Sequence, residues 1–204
     1  MIDIPTQLAA IYREVSERPG DSGEEVVVLI RRSYDAEIED VWSAVTDPAR
    51  VKRWFLPLSG DLRAGGTFRL EGNASGDIVG CEPPRLLRVT FGAPNSIVEL
   101  RLTADGDETV LELEHGVPKA MAQSVAGALY AGPDWDGAFL GLGLYLRGEA
   151  PEGPVAAGPS PEAQAFSKES VHAWAAVVEA SGAASEGEIA AATAVSMAQF
   201  APDA

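Results

Sequence analysis

Residues 35–84, DAEIEDVWSAVTDPARVKRWFLPLSGDLRAGGTFRLEGNASGDIVGCEPP, leave this chain few architectures to choose from. Ile38, Val41, Trp42 and Val45 recur at the i, i+3, i+4, i+7 spacing of one buried helix face. Glu37, Glu39 and Asp40 occupy the first turn, where negative charge suits the helix dipole. Asp47-Pro48 then restarts the chain, Asp as N-cap and Pro at the first helical position, and Val51, Trp54 and Phe55 repeat the spacing. Beyond Phe55 the period switches to two, and glycines begin to punctuate the chain.

The alternation predicts five short strands, at residues 66–71, 75–81, 86–92, 96–104 and 109–117, after a first strand at 24–34 rich in β-branched residues. Gly72-Asn73, Pro83-Pro84, Pro94-Asn95 and Asp105-Gly106-Asp107 are the expected turns. Phe68 with Leu70, Leu87 with Val89 and Phe91, Val98 with Leu100 and Leu102, and Leu111 with Leu113 and His115 share faces. Arg69, Arg88, Arg101 and Glu112 alternate with them, the signature of an antiparallel sheet covered on one side. A third helix is expected from about Asp134, with Trp135, Phe139, Leu142 and Leu146 opposing the concave sheet. Leu140 and Leu144 form a second apolar stripe that needs a cover.

The flanks read differently. Ile4, Leu8, Ile11, Tyr12 and Val15 fit a helix over residues 4–18, ended by Pro19-Gly20-Asp21-Ser22-Gly23. A Pro/Gly/Ala linker precedes two Ala-rich helices, 161–181 and 185–200, the second opening on the capping-box pattern Ser185-Glu186-Gly187-Glu188. This hairpin is expected to pack on the body, over Leu140 and Leu144; an arm swapped onto a neighbouring subunit of a homodimer is the alternative. The organisation expected is therefore an N-terminal helix (1–23), a main domain (24–149), a linker (150–160) and a helical extension (161–204).

Against 15 basic residues stand 31 acidic ones, a net charge of −16 that repels phosphate backbones and anionic membrane surfaces. No apolar run approaches the length of a membrane span, and residues 1–10 lack the basic and apolar regions of a signal peptide. A single cysteine, Cys81, fits a reducing compartment, so the expected location is cytoplasmic. Two histidines and one cysteine, without HxxxH or CxxC spacing, offer no metal site, and no glycine motif offers a phosphate or dinucleotide cradle. No cofactor is expected.

In order and spacing, Asp35-Ala36, Val41-Trp42, Thr46-Asp47-Pro48, Trp54, Asp61-Leu62-Arg63, Gly65-Gly66, Phe68, Gly80, Pro83-Pro84, Thr109, Leu111, Leu113, His115 and Trp135 form one pattern. With it, residues 24–149 resemble the START-like (SRPBCC) superfamily, specifically bacterial proteins similar to the Hsp90 ATPase activator homologue family. The resemblance implies an α+β helix-grip fold, a curved antiparallel sheet wrapped around a long C-terminal helix with a cavity between them. It does not imply action on Hsp90, because members of the superfamily range over carriers, sensors and cyclase-like enzymes.

Strand parity puts Phe68, Leu70, Val89, Phe91, Leu100, Leu113 and His115 on the concave face, with Trp135, Phe139 and Leu142 opposite and Trp54 and Phe55 at the mouth. Any one of these residues also reads as ordinary core. His115 is expected inward, hydrogen-bonding a ligand polar group or exchanging a proton near neutral pH, or else as a structural histidine bonded to a nearby backbone group. The function expected is non-catalytic binding of a hydrophobic or amphipathic small molecule. Alternatives are a polyketide cyclase or dehydratase-like enzyme using His115 as acid or base, and a co-chaperone-like role in protein interaction.

Overall fold

The computed structural model describes residues 2–20, 23–150 and 160–203. A short helix α1 (Ile4–Ala9) leads into strands β1 (Tyr12–Gly20) and β2 (Gly23–Tyr34), then helices α2 (Ile38–Thr46) and α3 (Pro48–Val51). Strands β3 (Leu58–Gly60), β4 (Thr67–Leu70), β5 (Ser75–Glu82), β6 (Leu86–Phe91), β7 (Ala93–Asp105) and β8 (Glu108–Pro118) follow. The chain ends with α4 (Lys119–Ala122), a 3-10 helix (Val125–Tyr130), α5 (Gly132–Leu146), α6 (Pro161–Ser181) and α7 (Glu186–Phe200). Among the described residues no helix is long and apolar enough to cross a membrane.

The strands pair in the order β1-β2-β8-β7-β6-β5-β4-β3, so sequence neighbours are joined as hairpins except where β8 inserts beside β2. Between β3 and β7 every pair is antiparallel, with Phe68 opposite Gly60, Arg88 opposite Glu99 and Val89 opposite Val98. Register shifts at Ile78/Gly80 and at Thr90/Phe91 bend the strands there, because a bulge adds local twist to one side of a ladder. The predicted turn at Pro94-Asn95 is displaced. Both residues belong to β7, and the reversal falls on Gly92 at φ +76°, a conformation open to glycine without steric cost.

By contact density the chain forms two compact units, one from residues 1–30, 116–139 and 159–204, the other from 31–115 and 140–158. In the first, α6 and α7 pack on each other and on the 3-10 helix, and α6 also packs on β1. Ser185 accepts from the Glu188 amide while the Glu188 carboxylate accepts from the Ser185 amide at 2.8 Å, completing the capping box expected there. Residues 151–159 of the expected linker, and Asp21 and Ser22 of the first turn, lie outside the described residues.

The helix expected over residues 4–18 stops at Ala9, and Tyr12–Gly20 is an edge strand. Ile11 and Val15 are buried, and their spacing of four fits a strand face as well as a helix face. Pairing beside β2 decides between the two, and an edge strand tolerates Pro19.

Candidate functional site

The second unit carries the polar and aromatic groups that alternation places on one sheet face. Along β8, Thr109, Leu111, Leu113 and His115 are buried in alternation, and along β7 so are Ser96, Val98 and Leu102, with Leu100 half-buried. On the neighbouring strands Phe68, Leu70 and Val89 are buried while Leu87 and Phe91 remain half-buried. Phe68 and Phe91 stack with ring centroids 6.1 Å apart, and Phe91 meets the His115 ring edge-on at 5.7 Å and 70°. These are the offset and T-shaped geometries aromatic quadrupoles favour.

His115 is 9% exposed and Ser96 4%. A 2.8 Å hydrogen bond joins Ser96 Oγ to His115 Nε2 across the adjacent strands. Burial lowers the imidazole pKa to about 4, since a charged ring there would lose its hydration. The expectation of proton exchange near neutral pH is therefore corrected: His115 is a neutral hydrogen-bonding group across that range. Ser96 was not singled out from the sequence, although its parity with Val98 and Leu102 marks it as an inward polar residue.

Trp54 and Phe55, in the turn after α3, stack at 5.4 Å. Trp54 Nε1–H donates to the Ala44 carbonyl at 2.9 Å, and a Cβ on Gly141 would lie 3.5 Å from its ring. The indole thus brackets α2 against the C-terminal half of α5, where Leu142 is fully buried. Asp47 caps α3 through the Ala49 amide at 2.8 Å, as its place before Pro48 predicts, which fixes where this turn begins. A second inward polar residue also escaped the sequence reading. Arg32 is 6% exposed, its guanidinium 5.3 Å from the Tyr34 ring centroid and beside Gly143. Burial draws its pKa down, and burial holds the Tyr34 phenol well above its ordinary value.

Trp135 and Phe139 belong to the first unit, half-buried and buried respectively. Between them on α5 stands Asp136, wholly buried. Its carboxylate accepts from Arg13 Nε at 2.8 Å and from Ser170 Oγ–H at 2.5 Å. Arg13 Nη1 donates further to the Leu8 and Ile11 carbonyls. Burial raises the Asp136 pKa, opposed by Arg13, Ser170 and, more weakly, the indole of Trp174, which makes no hydrogen bond of good geometry. The Trp174 ring lies flat against Gly132, where a side chain would collide with it. The extension is thereby tied to β1 and to the start of α5. Among the described residues no group of three His, Cys, Asp or Glu side chains is placed to hold a metal ion. The Cys81 thiol is pushed up by burial, away from an activated thiolate.

Residues 35–136 match the model of the family described as Activator of Hsp90 ATPase homolog 1-like protein. Among solved structures, the crystal structure of CalU16 from Micromonospora echinospora is 44% identical, with a TM-score of 0.69 over 83% of this chain and 98% of that one. The crystal structure of DynU16, described as a protein in the dynemicin biosynthetic locus, is 29% identical, with a TM-score of 0.53 over 61% of this chain and 48% of that one. The solution structure of the Aha1 dimer from Colwellia psychrerythraea is 17% identical, with a TM-score of 0.50 over 60% and 97% of the two chains, a likeness of fold. The helix-grip α+β class is the one these neighbours share. No curated protein matches the chain.

Proposed function

Because the chain belongs to the family of Activator of Hsp90 ATPase homolog 1-like proteins, we propose that it binds a hydrophobic or amphipathic small molecule on the inner sheet face of its second unit. The observation that carries this reading is the Phe68–Phe91–His115 cluster. Phe91 stays half-buried at an inward position, although core aromatics at such positions ordinarily close off from solvent. The biosynthetic locus of DynU16 supports a small organic molecule as the occupant. Leu70, Val89, Leu100, Leu113 and Leu142 supply apolar contact, and His115 supplies orientation. Trp54 and Phe55 flank the entrance.

Burying ~200 Å² of ligand carbon yields roughly 5 kcal/mol before entropic losses, so micromolar affinity calls for polar contacts as well. The protein acts in the cytoplasm, as a carrier or sequestering protein, and any homodimer is secondary to this role. Native mass spectrometry of the purified protein tests the proposal. A retained small molecule, or saturable uptake of an apolar fluorophore weakened by Phe91→Ala, is the expected result; no adduct and no uptake overturns it. The Ser96–His115 bond favours a second reading, proton transfer in a cyclase-type reaction, and turnover abolished by His115→Ala would distinguish it.

A further inference from the structure

We infer that Lys52 and Arg53 select an anionic head group, a carboxylate or its like, on an amphipathic molecule whose apolar body meets Trp54 and Phe55. The inference rests on the small-molecule reading above and adds the sign of the ligand's charge and the residues that read it.

The argument starts from where the positive charge stands. Three of the chain's 15 basic residues fall within positions 50–53, in a protein of net charge −16. Arg50 is neutralised locally, its Nη1 2.7 Å from the Asp40 carboxylate and its Nε donating to the Tyr145 hydroxyl at 3.0 Å. Lys52 and Arg53 are exposed, and among the described residues neither enters an ion pair. Arg53 lies instead over the Tyr145 ring, 5.2 Å from its centroid. That contact holds the guanidinium in place and leaves its charge without an opposing carboxylate.

The same short turn carries the aromatic pair. Trp54 and Phe55 stack at 5.4 Å and both stay half-buried. Trp54 faces Gly141 and Arg53 faces Tyr145, four residues further along α5 and so on the same side of that helix. Aromatic surface and uncompensated cations therefore lie side by side, the pairing an anionic amphiphile needs. An exposed head group keeps part of its hydration there, so an ion costs little to place and gains two opposite charges. The net charge of the whole protein acts the other way, attracting cations and repelling anions. A local preference opposed to the global one gives the inference a definite sign.

Calorimetric titration of the full-length protein at pH 7 and low salt with octanoate, 1-octanol and octylammonium tests the assignment. Octanoate should bind about fivefold more tightly than octylammonium, a ratio that two exposed ion pairs supply and that salt should shrink. Lys52→Gln with Arg53→Gln should reverse that order and leave octanol affinity in place, because only the net charge then acts on the head group. Arg53→Lys alone should keep the octanoate preference. Circular dichroism confirms that the variants fold. Octylammonium matching octanoate, or an undiminished octanoate preference in the double variant, overturns the head-group assignment while octanol binding upholds the small-molecule reading. Failure of all three probes to bind overturns both.

Discussion

Acidification should weaken this fold through His115, and the size of the effect follows from the structure. In an unfolded chain the imidazole takes up its proton near pH 6.5; in the folded chain burial delays that to about 4. Between these values the unfolded state alone is protonated, so protons are drawn to it and stability falls as pH drops. The contribution is fully present above pH 6.5 and declines through the window down to about 4. At about 1.4 kcal/mol per pH unit, the loss between pH 7 and 4 is on the order of 3 kcal/mol. Urea unfolding of the protein and of His115→Gln, both in a His172→Gln background so that only one histidine titrates, isolates this term from the carboxylates. The stability gap between the two should shift against the histidine protein by about 1.4 kcal/mol per unit below pH 6.5. A gap that stays constant from pH 6.5 to 4.5 refutes the reasoning, because it means the folded imidazole protonates as readily as the unfolded one.

Other perturbations have equally definite signs. Asp136→Asn leaves the buried Arg13 guanidinium without its counter-charge and should cost about 3–5 kcal/mol in urea unfolding, whereas Arg13→Met with Asp136→Leu recovers much of that loss. Gly132→Ala drives a methyl into the Trp174 indole and should destabilise by about 1–3 kcal/mol, with a change in tryptophan fluorescence at low urea. Ser185→Ala removes one half of a capping box and should cost about 1 kcal/mol, read as earlier fraying of α7 by hydrogen exchange.

Local rules made part of this molecule readable in advance. The parity of Leu111, Leu113 and His115 is a property of the strand itself, so the inward direction of His115 followed from spacing alone. The Asp47 cap and the Ser185 box likewise depend on neighbours within three residues. Where two local readings fit equally, as for Ile11 and Val15, a partner strand had to decide, and no residue nearby identifies it. Gly92 and Pro94-Asn95 competed for one reversal, and the residue able to take a positive φ won. Asp136 was the hardest to anticipate. It reads as an ordinary acid early in a helix, yet its partners, Arg13 and Ser170, are 123 and 34 residues away in sequence.

That carboxylate also bears on where the chain can be cut. Ending it after Ala150 deletes Ser170 and Trp174 but leaves Asp136 and Arg13 behind, with the groove beside Gly132 stripped bare. The last two helices are thus part of what makes an acid tolerable at that spot. Natural homologues without the appendage should show an apolar or small residue there, and shortened versions made for crystallography or NMR should carry the same replacement.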